Sequence, residues 1–105
     1  MIVIGVDPGA AVTGYGVVAR AGDGAVSLLE CGVLRTAASD PLPQRLRQIY
    51  DGLGEVLCRH TAEVMAVEGV FYGKNARTTV VLGHARGAAL LAATLRELPV
   101  FEYSP

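Results

Sequence analysis

Two acidic residues stand at the ends of apolar segments, where they could support metal-dependent chemistry. Asp7 closes the apolar segment M-I-V-I-G-V-D, and Glu68 lies near the end of E-V-M-A-V-E-G-V. Acidic side chains are seldom found on buried strands, so two such positions favour a functional role. An acid at the carboxyl end of a strand in an open α/β sheet lies where such sheets bind ligands. Carboxylate oxygens suit Mg²⁺ or Mn²⁺ rather than Zn²⁺.

Each acid also has a purely structural interpretation. Asp7 could cap the Pro8-Gly9 turn, since aspartate hydrogen-bonds the backbone of turns well. Glu68 could be a solvated strand-end residue. If the two strands are neighbours, however, the carboxylates face each other and repel unless a cation lies between them. A pair of divalent ions held in this way activates water and stabilises the leaving oxygen in phosphodiester hydrolysis.

The segments around these acids predict a mixed sheet. Strands are expected from Ile2 to Asp7 and at 14–20, 26–34, 63–70 and 100–103, with a hairpin turn at 21–24. The first three strands form an antiparallel meander. A helix follows Asp40-Pro41, read as an N-cap acid and a proline at the first helical position. In this β-β-β-α-β-α-β order, right-handed crossover places the fourth strand next to the first.

The two predicted helices differ in their apolar pattern. In the first, apolar residues recur at gaps of three and four from Leu42 to Leu57, which defines one buried face. Gly52 and Gly54 weaken it by roughly 1 kcal/mol each relative to Ala, so packing must stabilise it. The second, expected at 76–98, is apolar nearly all round. We therefore expect a partner subunit or further chain to cover it.

Composition is that of one domain, or most of one: 105 residues, 51% of them hydrophobic. Met1 leads directly into a patterned strand, so we expect no signal peptide. The most apolar stretch, 80–95, is too short and too charged to span a bilayer. Cys31 and Cys58 lie far apart, and we expect reduced core thiols of a cytoplasmic protein.

Charge gives only a local indication of a polyanionic ligand. The formal net charge is −1, which does not favour a nucleic-acid binder. Residues 71–87, however, carry Lys74, Arg77 and Arg86 without any acid. Arg86 could reach phosphate or lie on the helix surface, and His84 is expected to be a packed or surface histidine. Tyr15 and Tyr103 are expected to be partly buried strand residues.

Three motifs together resemble those of the RuvC family, the Holliday-junction resolvases of bacteria within the ribonuclease H-like superfamily. They are M-I-V-I-G-V-D-P-G-A-x-x-T-G-Y-G-V, A-V-E-G-V-F-Y-G-K-N-A and L-G-x-A-R-G-A, and the resemblance runs from residue 1 to 105. It implies a single ribonuclease H-like α/β domain, with three antiparallel strands followed by parallel strands and helices on both faces.

The same resemblance implies a function. It is that of a structure-selective endonuclease resolving Holliday junctions in DNA recombination and repair, with two Mg²⁺ or Mn²⁺ ions per complete site. The implied partners are four-way junction DNA, a second copy of the chain bound through the 76–98 helix, and a branch-migration helicase complex.

Individual site residues follow from the motif matches. Asp7 and Glu68 match the first two catalytic carboxylates of the family, which bind the metal. Phe71 matches an aromatic residue that contacts bases at the junction centre, although it could also be a core residue. Lys74 and Asn75 match the polar residues after it. In this loop a base could stack on Phe71 or Tyr72 while a cationic side chain contacts phosphate. The predicted DNA-binding set is therefore Phe71, Tyr72, Lys74, Asn75 and Arg77.

The resemblance is incomplete, and two other functions stay open. The family's remaining site residues lie on a C-terminal helix rich in Asp and Ala, which is not matched here, so we expect roughly the first two-thirds of the protein and no DNA cleavage by this chain alone. The first alternative is an actin-like ATPase or sugar kinase, whose phosphate loop also has a strand-end Asp before Gly, Thr and Gly. The second is a non-catalytic nucleic-acid-binding domain of the same fold.

Overall fold

Five strands and two helices make up the part of the chain that the computed structural model describes, residues 1–69 and 74–104. In chain order they are β1 (Ile2–Asp7), β2 (Val12–Arg20), β3 (Val26–Arg35), α1 (Leu42–His60), β4 (Val64–Glu68), α2 (Ala76–Thr94) and β5 (Val100–Tyr103). The predicted element order is confirmed.

The strands form one mixed sheet in the order β3-β2-β1-β4-β5. The pairs β1–β2 and β2–β3 are antiparallel, whereas β1–β4 and β4–β5 are parallel. The predicted meander, and the predicted position of β4 next to β1, are therefore both correct. Because β1 is the central strand, the residue that ends it is held by neighbours on both sides.

Both helices pack on the same face of this sheet. Ile4 and Met65 are fully buried and belong to one hydrophobic core with Leu53 of α1 and Ala89 of α2. The connections β3-α1-β4 and β4-α2-β5 cross the sheet in the same direction, so right-handed crossover places both helices on one side. The mixed sheet is confirmed, but within the described residues helices cover one face rather than both.

The other face of the sheet, here called the open face, carries several exposed apolar side chains. Val17 and Val67 face the helices, so the residues next to them in sequence, Val18 and Ala66, face the open side. Leu28 pairs with Val18 and Phe101 pairs with Ala66, which places both on the open face. Leu28 is 63% exposed and Phe101 is 61% exposed. Tyr103 also lies on this face and is exposed, so its predicted partial burial is wrong.

The helix boundaries differ from those predicted, for reasons of backbone chemistry. Pro41, not Asp40, occupies the N-cap position of α1. A cap at Asp40 would put Pro43 at the third helical position, where it lacks the N–H that such a cap binds. α2 ends at Thr94 rather than residue 98, because Glu97 adopts a left-handed φ of 60° and Pro99 follows.

The strand boundaries shift by smaller amounts. β2 begins two residues early, at Val12, and β3 runs one residue further, to Arg35. β4 is shorter than predicted and ends at Glu68. Glu68 is therefore the last residue of its strand, as Asp7 is of β1. The hairpin turn at 21–24 is confirmed, with Gly24 at a φ of 89°.

The two glycines of α1 allow neighbouring elements to approach closely. A Cβ atom on Gly52 would lie 2.9 Å from both methyl carbons of Leu34, and one on Gly54 would contact the Arg96 guanidinium. Arg96 also donates to the carbonyl of Ala92 at 3.0 Å. Packing of β3 and of the turn after α2 against α1 thus offsets the low helix propensity of glycine.

Glu30 accepts hydrogen bonds from three side chains at the edge of the core. Tyr15 donates its hydroxyl at 2.6 Å, and the Arg59 guanidinium lies at 2.8 Å. The Nε2 atom of His60 is 2.6 Å from the carboxylate. These contacts, with Arg59 contributing most, lower the pKa of Glu30 to about 2. The network ties β2 and β3 to the end of α1, and it confirms Tyr15 as a partly buried strand residue.

Both cysteines are unpaired thiols, but neither is in the core. Cys31 and Cys58 are exposed, so the predicted burial is wrong. Cys31 pairs with Gly16 on the open face of the edge strand β3. Among the described residues, no helix is long and apolar enough to cross a membrane.

The Glu30 network makes a pH-dependent contribution to stability. Its folded-state pKa of about 2 lies below the ordinary value of 4.5. The contribution is therefore present above about pH 4.5 and is lost as the pH falls through about 2. We expect Glu30→Gln to lower the Tm at neutral pH and the difference from wild type to shrink at acid pH. Thermal unfolding followed by circular dichroism across this range measures it.

Glu97→Gln is the matched control, since Glu97 is exposed in the turn after α2, away from the Glu30 network. It should leave the Tm close to wild type throughout. If the Tm difference between Glu30→Gln and wild type did not change with pH, an electrostatic role for Glu30 would be contradicted.

Candidate metal site at the carboxyl end of the sheet

Asp7 and Glu68 occupy equivalent positions on neighbouring parallel strands. The register pairs Val6 of β1 with Val67 of β4, and the next residue on each strand is the acid. Val6 and Val67 both face the helices, and successive side chains alternate between faces. Both carboxylates therefore leave the sheet on the open face at its carboxyl end, so the structure brings the two predicted ligands together.

The surroundings leave both carboxylates available to a ligand. Asp7 is exposed and Glu68 is half-buried. Within residues 1–69 and 74–104, no hydrogen bond or ion pair engages either carboxylate. On the other side of Asp7, the partner residue on β2 is Gly14, where even a Cβ atom placed on the glycine would stay 3.9 Å from the Asp7 Cβ. An acid at this position is therefore open to solvent and cations.

The turn after Asp7 is held by Thr13, a residue that the sequence pattern did not single out as part of the site. The fully buried Thr13 hydroxyl donates to the Gly9 carbonyl at 2.7 Å and accepts from the Gly9 N–H at 3.2 Å. The proposed cap by Asp7 is thus not what holds this turn in the described structure. The Thr-Gly pair in the first motif is the sequence feature that could have indicated this role of Thr13.

Thr36, just after β3, also binds the loop that follows Asp7. Its hydroxyl donates to the carbonyl of Ala10, and its N–H donates to the carbonyl of Ala11 at 3.1 Å. Arg45 of α1 in turn donates its Nε–H to the Thr36 hydroxyl at 2.9 Å. The loop that follows the first acid is therefore linked to α1 as well as to the sheet. Nothing in the sequence signalled this contact, since it joins residues distant along the chain.

The predicted DNA-binding residues that can be described lie at the start of α2. Lys74 and Arg77 are exposed. Asn75 is the N-cap of α2, and its side-chain oxygen accepts from the Thr78 N–H at 2.9 Å, so it has a structural role. Phe71 and Tyr72 lie outside the described residues.

Arg86 and His84 differ in their environments on α2. The Arg86 side chain is only 14% exposed and forms an ion pair with Glu102 of β5. It therefore belongs to the α2–β5 contact rather than to the exposed helix surface. His84 is exposed, which agrees with the second of its two predicted environments, a surface histidine.

The donor set fits part of a site for a hard divalent cation. Two carboxylates with no other partner in the described residues supply oxygen ligands, which Mg²⁺ and Mn²⁺ prefer. Among those same residues, no group of three or more His, Cys, Asp or Glu could hold a metal ion. Asp7 and Glu68 therefore supply a partial ligand set, to which further oxygen donors would have to be added.

Comparison with known proteins identifies extensive similarity along the whole chain. The family model for "Crossover junction endodeoxyribonuclease RuvC" matches residues 3–105. A curated protein of that name from Pelotomaculum thermopropionicum is 49% identical over 105 residues, which are all of this chain and 63% of the relative. The chain thus spans less than two thirds of the length of such relatives.

Two solved structures extend the comparison to the fold. The structure described as Thermus thermophilus RuvC in complex with Holliday junction substrate has a TM-score of 0.91 and 36% identity, covering 100% of this chain and 66% of that one. The yeast mitochondrial Holliday junction resolvase Ydc2 has a TM-score of 0.69 at 16% identity, covering 98% of this chain and 52% of that one. At such low identity the second match shows a shared fold alone.

The paired carboxylates should repel each other when no cation is bound. In EDTA we expect Asp7→Asn to leave the Tm unchanged or to raise it. The free energy of unfolding should increase by at most about 1 kcal/mol, the scale of exposed charge pairs. Mg²⁺ or Mn²⁺ should raise the Tm of the wild type but not of Asp7→Asn, since binding to the folded state stabilises it. Thermal unfolding with and without the ion measures both effects.

Glu55→Gln, which removes an exposed charge elsewhere, should respond to the ion as the wild type does. An equal rise in Tm for the wild type and Asp7→Asn would show that Asp7 does not bind the cation.

Proposed function

The chain belongs to the crossover junction endodeoxyribonuclease RuvC family, and from this premise we propose that the protein cuts four-way DNA junctions by metal-dependent phosphodiester hydrolysis. The observation that carries the proposal is the pairing of Asp7 with Glu68 at adjacent strand ends, on one face of the sheet. A solved relative is described as a complex with Holliday junction substrate, which supports the choice of DNA. The process served would be DNA recombination and repair.

In this proposal Asp7 and Glu68 hold Mg²⁺ or Mn²⁺, two ions in a complete site. When bound, such ions lower the pKa of attacking water and stabilise the leaving oxygen. The rigid placement of Asp7 on the central strand fixes where hydrolysis occurs. Because two carboxylates are a partial ligand set, we expect the 105-residue chain alone not to nick junction DNA. The intact protein must then supply the remaining oxygen ligands.

DNA contact is assigned to the start of α2 and to the residues that precede it in the chain. Lys74 and Arg77 are exposed there and can meet backbone phosphates, while Asn75 caps the helix that follows. Phe71 and Tyr72 are proposed on the motif match to stack against bases, an interaction of about 1–3 kcal/mol per base. A helicase partner for branch migration and a cytoplasmic location are proposed on the family resemblance alone.

Removal of one ligand separates catalysis from binding. In the intact protein, Asp7→Asn should abolish junction cleavage, since the metal loses a charged ligand, while the Kd for the junction should stay within about threefold of wild type. Cleavage of a labelled four-way junction and gel-shift titration in EDTA provide the two measurements. Glu55→Gln should cleave normally. Unimpaired cleavage by Asp7→Asn would refute the site.

A two-fold homodimer is proposed through α2. An exposed apolar stripe runs along this helix, with Val80 58%, Leu91 50% and Leu95 61% exposed and with Gly83 and Gly87 between them. A groove of about 380 Å³ lies beside the stripe, where Leu46 and Tyr50 of α1 face Leu91. Burial of such a surface favours association. A two-fold pair would present two sites to a four-way junction.

The dimer is tested by placing a charge on the stripe. Leu91→Glu should convert the intact protein from dimer to monomer at micromolar concentration, as measured by sedimentation velocity, because it would bury an unpaired carboxylate. Leu29→Glu is the matched control at a comparably exposed leucine, 43% exposed on β3, and should remain dimeric. A wild-type monomer at that concentration would refute the proposal.

A further inference from the structure

A cavity of about 630 Å³ opens beside the loop that follows Asp7, on the side of the sheet that the helices cover. We call it the loop cavity. Its walls come from the loop, from α1 and from the start of α2, and they comprise Gly9–Val12, Arg45, Lys74, Thr78, Val81 and Leu82. It is distinct from the open face on which Asp7 and Glu68 lie.

The charge of the loop cavity suits an anion. Arg45 and Lys74 line it, and no acidic residue among the described ones does. Within residues 1–69 and 74–104, no ion pair joins Arg45 or Lys74 to a carboxylate. Two cations with no compensating acid attract a phosphate, and the apolar walls reduce screening by water.

Arg45 is held in one orientation by Thr36, the residue that also binds the loop after Asp7. Its Nε–H donates to the Thr36 hydroxyl at 2.9 Å, which leaves the two terminal nitrogens of the guanidinium for a ligand. Thr36 in turn donates to the carbonyl of Ala10 and is bound through its N–H to Ala11. A planar guanidinium fixed in this way is preorganised for phosphate oxygens.

The apolar part of the wall favours a phosphodiester over a free phosphate ion. Val81 and Leu82 of α2 line the same cavity. Such side chains give a free, fully hydrated phosphate no compensating contact, but they can pack against the deoxyribose of a nucleic-acid strand. The cavity volume leaves room for a sugar beside the phosphate.

We propose that the loop cavity binds one backbone phosphate of the DNA strand being cut, with Arg45 as the ligand and Thr36 as the positioning residue that orients it. This inference rests on the proposed function and deepens it. The carboxylates lie on one face of the sheet and the cavity on the other, so the strand passes over the carboxyl edge of β1. Lys74 contributes the second charge.

The main test compares Arg45→Met with Arg20→Met in the intact protein. Arg20 is exposed at the end of β2, at the opposite edge of the sheet, and serves as the matched loss of charge. The Kd for a labelled four-way junction is measured in EDTA over a series of salt concentrations. Arg45→Met should weaken binding about tenfold and reduce the slope of log K against log salt by about 0.9, as loss of one phosphate contact requires. Arg20→Met should leave the slope unchanged.

Arginine footprinting on the wild type supplies a readout that needs no variant to fold. Junction DNA should protect Arg45 from phenylglyoxal, as detected by mass spectrometry, and leave Arg20 reactive. Thr36→Val should weaken binding and reduce the protection of Arg45, whereas Thr36→Ser should restore both. The Ser variant keeps the hydroxyl, so the rescue separates orientation of Arg45 from general damage to the fold.

The outcomes separate this inference from the proposed function. If the wild type binds and cuts junctions, but Arg45 stays reactive in the complex and Arg45→Met matches Arg20→Met, the phosphate site is wrong and the nuclease stands. If the wild type neither binds nor cuts a four-way junction, the proposed function fails, and the phosphate site fails with it.

Discussion

Parallel pairing of β1 with β4 is the constraint on which the rest of the site depends. These two strands are separated in the chain by β2, β3 and α1, yet their register aligns Val6 with Val67. A slip of one residue would turn one carboxylate to the opposite face. The register is maintained by the core, because Ile4 and Met65 both have to be buried beneath the helices.

Placement of both helices on one side separates two kinds of surface. The helix-covered face forms the core and, at its carboxyl end, the loop cavity with Arg45 and Lys74. The open face carries the carboxylates together with exposed apolar residues such as Phe101. Opposite charges therefore meet along the carboxyl edge of β1. This arrangement suits a polyanionic strand that needs cations for binding and a metal held by acids for chemistry.

The loop after Asp7 is stabilised by two threonines rather than by the acid. Thr13 binds Gly9, and Thr36 binds Ala10 and connects the loop to α1. Because these hydroxyls satisfy the loop backbone, the Asp7 carboxylate keeps its oxygens for a ligand. A cap by Asp7 would have served the turn at the expense of the site. The Asp7 carboxylate is thus available to a ligand because the threonines, and not Asp7, bind the loop backbone.

Local pattern by itself determined the element types and the placement of the two acids at strand ends, because apolar periodicity is a short-range property. The antiparallel meander and the position of β4 followed from the element order and the right-handed crossover rule. The local pattern misplaced the N-cap of α1, where the lack of an N–H in Pro43 outweighed the capping preference of Asp40. Only the tertiary structure decided the single-sided packing of the helices, the burial of Arg86 against Glu102, the exposure of both cysteines and the Thr36–Arg45 contact. Each of these depends on residues far apart in sequence that meet only when the sheet is assembled.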